Sequence, residues 1–416
     1  MVFLHPIMKY NTYTLPNGLR IIHLPATSPV VYCGYEINAG TRNELHDEEG
    51  LAHFCEHVTF KGTEHRKAWH ILNCLESVGG DLNAFTNKED TVYYAAILKD
   101  HFNRAADILT DIVFNSRYPQ QELDKEKEVI CDEIESYNDS PSELIYDEFE
   151  NIIFNNHPLG RNILGNADHL RTYTTDDALR FTARFYKPEN VIFFAYGDLD
   201  FNKMVNFLSK STKDFGNSKP LMDIKSNSPL PIYEPKYIEK DKGTHQAHVM
   251  IGNRAYSVHD ERRMALYLLN NILGGPGMNA RLNLSLRERN GLVYTVESSM
   301  ISYSDTGIWC TYFGCDPKDI KRCLKLTRKE LNRFMEKPLT ITQLNAAKKQ
   351  IKGQIGVACD NRENFALDFG KSYLHYGWER DITNLFNHID ALTPDIIHQV
   401  AQDIFAEEKL TTLIYK

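Results

Sequence analysis

His53, Glu56 and His57 stand in the run H-F-C-E-H, the histidines four apart with the glutamate beside the second. On a helix, positions i, i+3 and i+4 share one face, so both imidazoles and the carboxylate converge on one spot. Neutral imidazoles are ligands for Zn²⁺, and a carboxylate next to an open coordination position can take a proton from water held there. The competing reading is a pair of surface histidines on a polar helix face. A hydrolytic zinc site takes three protein ligands and keeps a fourth position open, so a further ligand is required. The acidic run 121–138 offers Glu122, Glu126, Glu128, Asp132, Glu133 and Glu135. Periodicity alone does not choose among them, since an acidic helix is most often a solvated face.

These residues need elements to hold them. The pattern predicts helices over 48–60, 68–78, 101–115, 121–138 and 142–153, and strands at L-R-I-I-H-L, V-V-Y-C-G-Y-E-I-N and 191–196. Residues 81–98 read as a hairpin entered through Gly79-Gly80, turning at Asn87–Asp90. One sheet with helices on its face is an α+β sandwich. The pattern then repeats. H-D-E at 46–48 and at 259–261 each open a helix with an Asp available as N-cap. The runs beginning at Leu123 and Thr174 correspond to those beginning at Leu344 and Thr393, and the three offsets are 213, 221 and 219 residues. Two duplicated α/β sandwich domains, each a mainly antiparallel sheet, are expected at 1–215 and 232–416. A Pro/Ser/Asn-rich linker at 216–231 would join them. In the second copy His53, Glu56 and His57 become Leu266, Leu269 and Asn270, and Glu126 and Glu133 become Ala347 and Gln354. Folding therefore does not require a polar trio on that helix, and Glu126 and Glu133, two turns apart on one face, disappear together with the histidines.

Composition narrows the class. The chain has 416 residues, 42% hydrophobic and 25% charged, with a net charge of −9. That balance argues against a nucleic-acid partner. No apolar run approaches a membrane span, and the N-terminus lacks the layout of an export signal, so a cytoplasmic location is expected, a previously removed transit signal aside. The eight cysteines are scattered without a C-x-x-C pair, which favours reduced, mostly buried thiols.

Several separated motifs carry a family resemblance across essentially the whole chain. They are H-F-C-E-H-V-T-F-K-G-T (53–63), G-G-D-L-N-A-F-T-N-K-E-D-T-V-Y-Y (79–94), E-K-E-V-I-C-D-E-I (126–134), L-G-G-P-G-M-N-A-R-L (273–282) and L-R-E-R-N-G-L-V-Y (286–294). H-x-x-E-H reverses the H-E-x-x-H order of other zinc peptidases. The chain resembles the pitrilysin/insulinase-like inverted-zincin peptidases, in the short two-domain branch that includes mitochondrial processing peptidase and its bacterial relatives. The resemblance implies Glu133, 76 residues after His57, as the third zinc ligand, with Glu126 as an important second glutamate. It likewise implies roles for Arg287 and Tyr294 from the C-terminal domain. The glycine turn Leu273–Gly277 is explained as a helix stop needing positive φ, and related chains turn that loop towards the substrate cavity.

From these follows an expected mechanism: one Zn²⁺ per chain on His53, His57 and Glu133, and Glu56 as the base for the water in the fourth position. Arg287 and Tyr294 would stabilise the oxyanion. An unfolded peptide would lie along the strand of Asn83 and Ala84, adding main-chain hydrogen bonds to the sheet. The resemblance implies a clamshell chamber in which the Arg/Tyr pair reaches the zinc of another two-domain unit. A chain carrying both sets is expected to form a homodimer, with a heterodimer as the alternative. The alternative to an endopeptidase is a non-catalytic peptide-binding or assembly subunit.

Overall fold

The computed structural model describes residues 8–216 and 229–416, which form two units, each built on one sheet. The first sheet contains β1 (Asn11–Thr14), β2 (Arg20–Pro25), β3 (Val30–Ile37), β4 (Asp81–Thr86), β5 (Thr91–Leu98) and β6 (Val191–Gly197), in the spatial order β1-β2-β6-β3-β5-β4. All its pairings are antiparallel except β2 with β6. The second contains β7 (Tyr237–Lys240), β8 (Ala247–Ala255), β9 (Val293–Ser302), β10 (Gly307–Cys315) and β11 (Thr411–Tyr415), in the order β7-β11-β8-β10-β9. Here too one pair, β7 with β11, is parallel and the others antiparallel. With β1 set aside, the two orders correspond strand for strand and the parallel pair falls at the same place. The duplication is thus repeated in the hydrogen-bond topology, and the architecture is the α+β one expected.

Alternation along β3 shows how the first sheet is covered. Val31, Cys33, Tyr35 and Ile37 enter a core with Phe54 of the helix Leu51–Thr59, Ile108 of Phe102–Phe114 and Phe181 of Thr175–Phe185. The other face, with Glu36 from β3 and Phe194 and Tyr196 from β6, is covered by the helix Arg362–Tyr376 through Phe365 and Phe369. That helix belongs to the C-terminal half of the sequence. Reciprocally, the helix Pro141–Phe154 from the N-terminal half packs Ile145, Phe149, Ile153 and Phe154 against Met250, Ile308, Tyr312 and Leu413 of the second sheet. Unit boundaries fall at 135/136, 160/161, 357/358 and 381/382 as well as in the mid-chain segment. The uninterrupted division at 1–215 and 232–416 therefore differs from the units observed. The reason is that each half of the sequence draws the helix for one sheet face from the other half. Of the expected linker 216–231, residues 217–228 lie outside the described residues.

Two local expectations change. The helix starting near H-D-E begins only at Leu51, with Gly50 rather than Asp47 at its N-cap and in a left-handed conformation, φ 85°. Glu44 serves in place of a capping aspartate, accepting the Gly50 and Ala52 N–H groups at 3.1 and 2.9 Å. In the second copy Arg262 is the N-cap, and Asp260 instead pairs with its guanidinium at 2.7 Å. The glycines of the Leu273–Gly277 turn do not have positive φ, and Gly275 sits at φ −66°. Close approach explains them: a Cβ on Gly274 would meet Ser298 Cβ at 2.6 Å, and one on Gly275 would meet Asn271 Oδ1 at 2.4 Å. All eight cysteines are free and six are buried. Among the described residues no helix is long and apolar enough to cross a membrane.

Candidate metal centre

Helix Leu51–Thr59 buries Leu51, Phe54, Cys55 and Val58, an i, i+3, i+4, i+7 stripe, against the first sheet. His53, Glu56 and His57 form the adjoining stripe. The helix Gln120–Asn138 buries Leu123, Ile130 and Ile134, and Glu126 interrupts this apolar line at only 8% exposure. A carboxylate placed there needs partners, and it has two. Glu126 Oε1 accepts the His57 Nδ1 hydrogen at 3.0 Å, and its Oε2 lies 2.6 Å from Lys61 Nζ. Proton placement on Nδ1 leaves the His57 Nε2 lone pair free. That nitrogen is 3.5 Å from Glu133 Oε2, and His53 Nε2 is 4.0 Å from Glu133 Oε1. The two rings are 4.6 Å apart between centroids.

One donor atom from each of His53, His57 and Glu133 falls within 4.8 Å of the others, and no other such trio of His, Cys, Asp or Glu occurs among the described residues. Ligand atoms about 2.0–2.2 Å from a tetrahedral zinc are roughly 3.3 Å apart, so a small contraction would close the set. Electrostatics agree with a cation site. Burial, with the neighbouring His57, pulls the His53 imidazole down to about 3, which keeps it neutral, and its Nδ1 is buried without a partner. Burial alone would lower His57, but the bond to Glu126 and the charges of Glu56, Glu133 and Glu126 outweigh it and raise the group. Burial alone would raise Glu126, but the bonds from His57 and Lys61 hold it below the usual carboxylate range. Burial raises Glu56, against the Thr86 hydroxyl and His57. Thr86 donates to Glu56 Oε2 at 2.6 Å.

Asn83 and Ala84 lie on β4, the terminal strand of the first sheet, so one row of its N–H and C=O groups has no strand partner. Leu82, Ala84 and Thr86 share the phase facing the histidine helix, and Asn83 takes the opposite phase. Arg287 and Tyr294 belong to the second unit. There the Arg287 guanidinium carbon is 5.7 Å from the Tyr294 ring centroid, and the tyrosine is 81% exposed. Arg287 sits in the π-helical turn Asn283–Glu288. The pair borders a cleft of about 460 Å³ together with the turn Gly274–Met278 and β9 residues up to Ser298. In this unit the counterpart of the histidine helix is core: Leu266 and Leu269 are fully buried, and Asn270 accepts from Trp309 Nε1 at 3.1 Å. Sequence reasoning missed Lys61, Thr86 and Glu44. Of these, Thr86 leaves a trace in the sequence as a polar residue on the helix-facing phase of the hairpin strand.

Fold and site together define a duplicated α+β chain with a His/His/Glu trio in its first unit and none among the described residues of the second. Residues 21–167 match the family model described as insulinase (peptidase family M16), and residues 172–351 match that described as the peptidase M16 inactive domain. An uncharacterized zinc protease of Streptomyces coelicolor is 32% identical over 419 residues, covering 99% of this chain and 90% of that protein. One of Bacillus subtilis is 31% identical over 403 residues, covering 97% of each. Among solved structures, a protease from Helicobacter pylori superimposes with a TM-score of 0.89 at 22% identity, covering 99% of this chain and 100% of that one. A Pseudomonas fluorescens structure described as a peptidase M16 inactive domain gives 0.88 at 18% identity, over 98% of each. The chain belongs to peptidase family M16, the insulinase family.

Proposed function

We propose that the protein is a zinc-dependent endopeptidase that hydrolyses unfolded oligopeptides, with one Zn²⁺ per chain held by His53, His57 and Glu133. The observation that carries this reading is the convergence of those three side chains beside a half-buried Glu56 whose Oε2 is held by the Thr86 hydroxyl. Bound there, zinc supplies Lewis-acid activation of water and polarises the scissile carbonyl. The chain's own residues do the rest. Glu56 takes the proton from the attacking water and returns it to the departing amine. Glu126 keeps the His57 proton on Nδ1, and Lys61 neutralises Glu126 behind it. The unpaired edge of β4 at Asn83 and Ala84 receives the peptide as an added strand, which tolerates varied sequences because main-chain groups make the bonds. Arg287 and Tyr294 serve as donors to the developing oxyanion. A homodimer in which one chain lends the pair to another, as the family resemblance implies, is part of the proposal.

The test is hydrolysis of a quenched, unstructured basic peptide, with and without chelator, beside Glu56→Gln. Chelator-sensitive cleavage that falls roughly 10²- to 10⁴-fold in the variant, with zinc still bound, is the expected result. A Glu56→Gln chain retaining most activity sinks the mechanism. No cleavage by a wild-type chain with one zinc bound would favour a binding or assembly subunit.

A further inference from the structure

A general base must be aimed as well as present, and the helix Leu51–Thr59 does not by itself aim Glu56. Three side-chain torsions separate its carboxylate from the backbone, and each has several wells. A second element supplies the constraint. Thr86, the last residue of β4 and 8% exposed, donates its hydroxyl to Glu56 Oε2 at 2.6 Å. A threonine is stiff at χ1, so its hydroxyl goes where the strand places it. That strand end is itself fixed. Asn87 N–H bonds Asp90 C=O at 2.8 Å, and Asn87 Nδ2 bonds Asp90 Oδ1 at 2.6 Å. Thr91, opposite Thr86 in register, donates to Ala39 C=O at 2.9 Å. Asp90 is clamped by Lys371 and His375 at 2.8 and 3.1 Å.

We propose that Thr86 is the positioning residue for the base. By occupying Oε2 it leaves Oε1 as the oxygen that accepts the water's proton. It also ties the aim of Glu56 to the strand that receives the substrate, because Ala84 and Thr86 share one face of β4 two residues apart. Displacement of β4 would thus move the peptide and the base together. This inference rests on the peptidase reading above.

The test uses the full-length, zinc-loaded protein and Thr86→Val, which keeps the branched shape and removes the donor, beside Thr86→Ser, which keeps the donor. Thr86→Ala replaces the valine variant if that one does not fold. Steady-state kinetics on the quenched peptide, bound zinc and a crystal structure of each variant are read together. Thr86→Val should lower kcat by roughly 10- to 100-fold, the scale of a misaimed reacting group, at unchanged KM and zinc content. Its Glu56 carboxylate should leave the orientation it has in the parent, and Thr86→Ser should keep both kcat and orientation. The proposal is overturned if Thr86→Val keeps the parent's kcat, if its Glu56 stays in place, or if the variant loses zinc or changes only KM. A parent chain that binds zinc and cleaves nothing instead overturns the peptidase reading. The orientation of Glu56 in Thr86→Val would still decide the role of Thr86.

Discussion

His53 and His57 reach the same point by different means, and substitutions behind them should differ accordingly. His53 is neutral because burial strips its charge, and its Nδ1 has no partner. His57 is oriented by Glu126, which is in turn paired with Lys61. Glu126→Gln and Lys61→Met should therefore weaken zinc binding about 10- to 100-fold, the usual effect of removing support behind a ligand, as measured by competition with a chelating dye. Neither change should empty the site, whereas Glu133→Gln removes a ligand and should. A Lys61→Met chain with unaltered zinc affinity would reduce that ion pair to a surface contact. The histidines and Glu56 could be read from the chain because helical spacing alone brings them together. Lys61 could not: it lies just beyond the helix end, and its partner is 65 residues away in sequence. Glu126 left a subtler sign, a carboxylate in the Leu123–Ile130–Ile134 stripe, which matters only once that stripe is known to be buried.

Gly50, at the start of the histidine helix, is constrained twice. Its φ is 85°, and a Cβ there would meet Leu164 C=O at 2.7 Å. Gly50→Ala should cost about 1–3 kcal/mol, seen in thermal unfolding, with loss of zinc affinity as the helix shifts. An unchanged melting curve would refute the constraint. The β4–β5 hairpin carries a pH-dependent contribution. Burial would raise Asp90, but the charge of Lys371 and the bond and charge of His375 outweigh it and hold its carboxyl well below the usual range. Its stabilisation is therefore present above the unfolded carboxylate pKa of about 4 and fades as pH falls further. Nearby Glu36 has the opposite sign, since burial raises it and its stabilisation is lost as pH rises. Comparison of the parent with Asp90→Asn separates the two. The variant should be less stable by about 3 kcal/mol at pH 7, and the gap should narrow progressively as pH falls below ~4; a gap independent of pH would contradict the ion-pair account. Most elements were legible here because apolar periodicity is local. The caps were not, because Glu44 reaches Gly50 from six residues upstream, beyond the usual capping spacing.

At the scale of the assembly, a homodimer that shares Arg287 and Tyr294 makes a prediction no single chain can meet. Glu56→Gln and Arg287→Ala chains, each inactive alone, should recover activity when unfolded and refolded together. Random pairing leaves about a quarter of the sites intact. Recovery to that level in the peptide assay is the expected outcome, and no recovery would mean that each chain uses its own pair. Duplication was visible in the sequence because Leu123, Thr174 and their counterparts repeat at nearly constant offsets, but the exchange of Pro141–Phe154 for Arg362–Tyr376 was not. A periodic helix reveals that it has an apolar face, not which sheet will cover it. That exchange also bears on synthesis. A growing chain that has completed β6 at Gly197 still holds Phe194 and Glu36 without the helix that covers them. At ~5–20 residues per second, residues 362–376 follow only after about ten seconds or more. Throughout that interval the sheet of the nascent first unit lacks one of the two helical layers that cover it, so the ribosome releases a chain whose halves can finish folding only together.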